Sequence, residues 1–148
     1  MKKVLFVCTG NTCRSPMAWA LANDIFGRAG LALEADSCGV FAAEGGPAST
    51  HAVAVMAEFG LELGSHKSSP TSQKAAQEAA TIITMTGGHK ARLLALFPAL
   101  ASKIRTLAEA CGGQGDVADP FGGSVEIYRQ CAAEIKSHLE KIEWEKFL

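Results

Sequence analysis

The apolar positions of this chain follow two rhythms that alternate along its length. Behind Lys3, the run Val4-Leu5-Phe6-Val7 is continuous and rich in β-branched and aromatic residues, which predicts a strand over residues 3–7 buried on both faces. Met17, Leu21 and Ile25 then recur at helical spacing; Ser15 and Pro16 suit the N-cap and first position of that helix, and Gly30 its end. A weaker strand over residues 31–37 leads into Cys38-Gly39-Val40-Phe41. After the turn Glu44-Gly45-Gly46-Pro47, the spacing of Ala52, Val55, Met56 and Phe59 predicts a helix closed by Gly60. Residues 71–78 read as helix with a mostly alanine face, 80–85 as strand, 91–97 as helix and 103–107 as a fourth strand. A glycine-rich stretch over 112–123 separates these from a last helix starting near Ser124, with Ile127, Cys131, Ile135, Leu139 and Ile142 on one side.

Strands alternating with helices predict a parallel sheet covered on both faces. Ligands bind such sheets beyond the carboxyl ends of the strands, where helix N-termini converge. Cys8 lies at such an end. One domain spanning residues 1–148 is expected, because too little chain follows the glycine-rich stretch to form another.

Composition narrows the function classes. With a net charge of −1 and no basic block, nucleic acid is not expected as a partner. Lys2 and Lys3 precede an apolar run of only five residues, too short for the core of a signal peptide, and no stretch reaches transmembrane length. A cytoplasmic protein is therefore expected, with no membrane partner. Cys8, Cys13, Cys38, Cys111 and Cys131 form no Cys-x-x-Cys pair, so neither a disulfide framework nor a zinc site is indicated. His51, His66, His89 and His138 show no metal-ligand clustering, and no metal or other cofactor is expected.

The chemistry concentrates in Cys8-Thr9-Gly10-Asn11-Thr12-Cys13-Arg14-Ser15, between the first strand and the first helix. The start of a helix offers unpaired backbone N–H groups and partial positive charge. Gly10 and Asn11 tolerate positive φ, which lets the loop wrap so that its amides converge. Arg14 adds a planar fork matched to two phosphate oxygens. The result is a cradle for a tetrahedral dianion. Positive potential of this kind favours the thiolate, the nucleophilic form of cysteine, and Ser15 can donate its hydroxyl to the sulfur. A phosphate held by its outer oxygens above Cys8 is placed for in-line displacement. The pattern Cys-x5-Arg-Ser also arises by chance around buried structural cysteines, and it is the preceding strand and the Ser-Pro that follow which make the context selective. A Walker nucleotide loop is excluded, since Gly-x4-Gly-Lys-Ser/Thr is absent. The leaving group needs a proton donor. Asp119, followed by Pro120 on the glycine-rich stretch, is one candidate and Asp116 the other; an Asp-Pro pair can equally just begin a turn.

Taken together these residues resemble the low-molecular-weight protein tyrosine phosphatases, over essentially the whole chain. The resemblance is carried by Val7-Cys8-Thr9-Gly10-Asn11, Arg14-Ser15-Pro16-Met17-Ala18 and Asp119-Pro120. It implies a flavodoxin-like three-layer αβα fold with a four-stranded parallel sheet. It also implies Cys8 as nucleophile, Arg14 as phosphate ligand and Asp119, ahead of Asp116, as general acid. Thr9, Gly10, Asn11, Thr12, Cys13 and Ser15 complete the phosphate-binding loop. Asn11, Ser15, Ser37 and His66 map onto a network that supports the loop, although Lys67-Ser68-Ser69 beside His66 departs from the family pattern. Trp19 replaces a usual glutamate and suggests packing alone.

Within the family the chain is most similar to the bacterial protein arginine phosphatases. Thr12 stands where tyrosine-specific members carry a bulky aliphatic residue, and Asp119-Pro120-Phe121-Gly122-Gly123-Ser124 stands where tyrosines usually follow Asp-Pro. A guanidinium needs polar partners and room, which Thr12 supplies. Phe41 and Phe121 could sandwich it; core packing is the alternative role for both. The expected activity is dephosphorylation of phosphoarginine in proteins through a cysteinyl-phosphate, by a monomer, with phosphotyrosine as the rival substrate. An arsenate reductase would need two relay cysteines near mid-chain, and residues 80–90 have none. A phosphate-binding module without catalysis would lack the nucleophile or the acid. Cys13 is expected to pair reversibly with Cys8 under oxidation, or else merely to fill space.

Overall fold

The computed structural model describes all 148 residues. In chain order the elements are β1 (Lys2–Cys8), α1 (Arg14–Ala29), β2 (Leu33–Gly39), α2 (Thr50–Glu58), α3 (Gln73–Glu78), β3 (Ala79–Thr84), α4 (Gly87–Leu96), β4 (Ile104–Thr106), α5 (Leu107–Ala110) and α6 (Val125–Glu140). The four strands form one parallel sheet in the order β2-β1-β3-β4. The chain reverses its direction of travel across the sheet between β1 and β3, the switch point at which a crevice opens. This is the flavodoxin-like three-layer arrangement expected from the sequence.

Strand period two sorts β1 between the two faces. Val4, Phe6 and Cys8 join the larger core under α1, α2 and α6, whereas Leu5 and Val7 join the smaller one with Ala76 of α3 and Leu93 of α4. Both faces are buried, which explains why β1 reads as an unbroken apolar run. Ile83 and Ile82 of β3 divide the same way. Beyond α6, Trp144 folds back onto α1, edge-on to Phe26 at 4.8 Å, with its indole N–H donating to the Leu139 carbonyl at 3.0 Å. No helix is long and apolar enough to cross a membrane.

Three expectations need correction. Helix α1 is capped at Cys13, not Ser15, and no side chain caps it. The Ser15 hydroxyl is drawn instead into the loop, where it meets Cys8, Asn11 and the Cys38 carbonyl. Helix α4 begins at Gly87, ahead of the expected 91–97, because Thr86 caps it by accepting from His89 N–H at 3.1 Å. On α6 the buried face runs through Tyr128, Cys131, Ala132, Ile135 and Leu139, leaving Ile127 at the rim, 44% exposed.

Gly39 is the most closely hemmed-in of the glycines. A Cβ there would collide with the Thr9 carbonyl and lie 2.9 Å from Asn11 N. The strand end cannot retreat, because Gly39 N–H donates to the Ser69 carbonyl at 3.0 Å and its own carbonyl accepts from Thr71 N–H at 2.9 Å. Gly39→Ala is expected to destabilise the protein by about 2–4 kcal/mol through this overlap. It should also weaken orthophosphate binding, since the atoms displaced belong to the loop. Chemical denaturation with a parallel inhibition assay checks both effects, and a variant with wild-type stability would show that the loop is free to shift.

Candidate active site

The loop from Cys8 to Ser15 sits at the carboxyl end of β1 and is held from outside by its carbonyls. Cys8 C=O accepts from Val40 N–H at 2.9 Å, Thr9 C=O from Phe41 N–H at 3.0 Å, and Thr12 C=O from Ser49 N–H at 2.9 Å. Asn11 C=O pairs with His66 Nε2 at 2.8 Å. In a trans peptide the N–H of the next residue points opposite to each carbonyl. With the carbonyls turned out, the amides of Thr9, Gly10, Thr12 and Cys13 turn in. They face a cleft of about 230 Å³ lined by Cys8, Thr9, Gly10, Thr12, Cys13, Arg14, Asp119 and Phe121.

The conformation is enforced by Asn11, fully buried and the only non-glycine residue with positive φ, at 56°. A left-handed residue with a Cβ is strained unless its surroundings fix it. Here the side-chain amide donates to Ser15 Oγ at 2.8 Å and to Ser37 Oγ at 3.0 Å, while its oxygen accepts from Ser69 N–H at 3.0 Å. Every hydrogen-bonding direction of the group but one lone pair is thereby used. Because Ser15 accepts from Asn11, its own hydrogen is left for Cys8 Sγ, 2.9 Å away, or for the Cys38 carbonyl at 3.3 Å. The hydroxyl can thus serve a thiolate and turn away when the sulfur carries no charge.

Arg14 is 5% exposed and aimed by two contacts: Nη1 donates to the Val117 carbonyl at 2.9 Å, and Nη2 to Thr9 Oγ1 at 3.5 Å. The Asp119 carboxylate lies 3.7 Å from Nη2 and is about half exposed, with Oδ1 accepting from Phe121 N–H at 3.1 Å. Asp116 is engaged elsewhere, accepting from Gly87 N–H at 2.8 Å at the start of α4. Phe41 and Phe121 are 70% and 79% exposed, so neither is a core residue. Phe121 lines the cleft, whereas Phe41 lies under Arg92 at 5.3 Å.

Several participants were not legible in the sequence. The Ser69 and Val117 contacts are made by backbone atoms, which leave no residue signature. Tyr128, buried on α6, places its hydroxyl 3.3 Å from Cys13 Sγ. Trp19 packs beside the site, its ring 6.1 Å from that of His66, the residue holding the Asn11 carbonyl. Burial pushes the thiols of Cys38 and Cys131 up to about 12, which keeps both neutral.

A sulfur beneath inward-facing amides, with an arginine on one side and a carboxyl group at the mouth, can hold a phosphate dianion and displace at its phosphorus. Fold and loop together define a cysteine-dependent phosphatase. Comparison with known proteins sharpens the class: the low molecular weight phosphotyrosine protein phosphatase family matches residues 3–146, and the chain belongs to that family. It is 43% identical to a protein-arginine-phosphatase of Geobacillus stearothermophilus over 95% of this chain and 93% of the relative. It is 32% identical to the low molecular weight protein-tyrosine-phosphatase PtpB of Staphylococcus epidermidis, covering 96% of this chain and 97% of that one. Among solved structures, a cysteine-to-serine mutant of the arginine phosphatase YwlE, with a phosphorylated active-site serine, superposes with a TM-score of 0.91 at 42% identity. That match covers 94% of this chain and 91% of the other.

Proposed function

We propose that this chain removes phosphate from phosphoarginine in proteins. The observation that carries the reading is Thr12, a short hydroxyl-bearing side chain in the wall of the cleft beside Asp119 and Phe121. An aryl phosphate gains from an aliphatic wall at that place, whereas a guanidinium gains from a hydroxyl, a carboxylate and an aromatic face. Phe41 is already engaged by Arg92, so the stacking surface we assign is Phe121 alone. The similarity to an arginine phosphatase, higher than that to the tyrosine phosphatase, supports the same substrate.

In the first step Cys8 Sγ attacks phosphorus, the S–P bond forms and the P–N bond breaks. Arg14 and the inward amides hold the oxygens, and Asp119 gives its proton to the departing guanidine nitrogen. In the second step water attacks phosphorus while Asp119 takes back a proton. The S–P bond breaks, and Ser15 turns its hydrogen to the released thiolate. Every group required lies on one chain, so a monomer suffices. Cys13, within reach of the Tyr128 hydroxyl, is our candidate partner for Cys8 under oxidation.

The test is kcat/KM for a phosphoarginine and a phosphotyrosine peptide of one sequence, measured on the wild type and on Thr12→Ile. The wild type is expected to prefer phosphoarginine. Exchanging the hydroxyl for an aliphatic branch is expected to move the ratio toward phosphotyrosine by about tenfold or more. A wild-type preference for phosphotyrosine would keep the chemistry and overturn the substrate. An unchanged ratio in Thr12→Ile would remove Thr12 as its determinant.

A further inference from the structure

His89 takes no part in the steps above, yet it is wired to the cradle. It is the third residue of α4, its backbone pinned by the bond from its N–H to Thr86 Oγ1, and it is only 6% exposed. Its Nε2 lies 2.8 Å from Thr9 Oγ1, while Nδ1 is buried with no protein group as hydrogen-bond partner. Thr9 directly follows the nucleophile, is itself exposed to the cleft, and also receives the Arg14 Nη2 contact at 3.5 Å.

A neutral imidazole carries one hydrogen, and its position decides what Thr9 can do. With the hydrogen on Nδ1, an N–H donor is buried with no protein acceptor, and Nε2 consumes the only proton of the Thr9 hydroxyl. With the hydrogen on Nε2, Nδ1 keeps only an unfilled lone pair. Thr9 Oγ1 then accepts from both His89 and Arg14, and its own O–H is left to point into the cleft. Buried orphan N–H groups are rarer than under-satisfied acceptors, and an anion in the cleft attracts the freed O–H. We propose that His89, as the neutral Nε2–H tautomer, is a positioning residue that turns the Thr9 hydroxyl into a hydrogen-bond donor to the bound phosphate.

The charge state agrees with this role. Burial pushes His89 down to about 4, helped by the neighbouring Arg14 guanidinium, against the opposing pull of Asp116 and Asp119. The ring therefore stays neutral at the pH of the reaction and does not stand as a second cation behind Arg14.

The inference rests on the loop being the phosphate site, not on phosphoarginine being the substrate, so the probes are p-nitrophenyl phosphate and orthophosphate. Long-range 1H–15N NMR of the wild type should show His89 protonated at Nε2 and unchanged between pH 6 and 8, a window set about two units above the shifted value. His89→Leu is expected to raise the Ki of orthophosphate and lower kcat/KM, each by about tenfold. His89→Gln, whose amide nitrogen can donate from the place of Nε2, should recover most of the loss. In a Thr9→Val background, His89→Leu should have almost no further effect. An Nδ1–H tautomer, or equal losses with and without the Thr9 hydroxyl, would overturn the proposal. If His89→Leu fails to fold, the tautomer and the glutamine variant still decide. Failure of the phosphatase reading itself would look different, because orthophosphate would not inhibit the wild type at all.

Discussion

Cys8→Ser is expected to lower kcat for p-nitrophenyl phosphate by about 10⁴-fold or more while leaving the thermal melting curve nearly unchanged. The two halves of this result have separate causes. A hydroxyl is much less acidic than a thiol, and it needs a base to become a nucleophile. The side chain hydrogen-bonded to Cys8 is Ser15, another hydroxyl, whose oxygen already accepts from the Asn11 amide and whose one proton goes to Cys8 or the Cys38 carbonyl. No basic side chain is hydrogen-bonded to the sulfur. The fold, on the other hand, offers a hydroxyl at this place the same partner, Ser15, so no buried polar atom is orphaned. Measuring turnover beside the melting curve checks both. A variant retaining more than a tenth of wild-type kcat would remove Cys8 as nucleophile, and a large loss of stability would mean that the activity change says little about chemistry.

The line between what the sequence revealed and what it concealed follows the difference between side chains and backbone. The loop that brings Cys8, Arg14 and Ser15 together was legible because their spacing beside a helix start is one that phosphate chemistry would require. The strand β1 was legible because both of its faces are buried and its apolar run has no gap. Helix α1 was read correctly as an element, but its cap was misassigned. Sequence rules give the Ser15 oxygen to the N–H groups at the helix start, whereas in the structure that oxygen accepts from the Asn11 amide and its hydrogen goes to Cys8 or the Cys38 carbonyl, a competition that only the folded loop reveals. Gly39 carried no warning either, because its role is to leave space for Thr9 and Asn11 of another segment. His66 and Ser37 lie 55 and 26 residues from Asn11, and single histidines and serines so far away are ordinary until a hydrogen bond selects them. His89, 80 residues from Thr9, was seen only as a histidine that binds no metal.

Asp119→Ala is expected to show a loss that depends on what leaves. For a phosphoarginine peptide, kcat should fall by about 10²–10⁴-fold, the range of a positioned general acid, whereas p-nitrophenyl phosphate should be affected far less. A nitrophenolate leaves readily as an anion, but a guanidine nitrogen expelled without a proton is a very strong base. The acid therefore matters in proportion to the basicity of the leaving group. The position of Asp119 suits such a role: it lines the cleft with Cys8, and Phe121 N–H fixes one carboxyl oxygen while the other lies 3.7 Å from Arg14. Asp116 is the internal control. Its Oδ1 holds Gly87 N–H at the start of α4, so Asp116→Ala should perturb that helix start and leave the ratio between the two substrates unchanged. If Asp119→Ala slowed both substrates equally, the residue would be holding Arg14 rather than delivering a proton. If Asp116→Ala produced the leaving-group dependence instead, the acid would be the other carboxylate, and the guanidine would have to leave from the α4 side of the cleft.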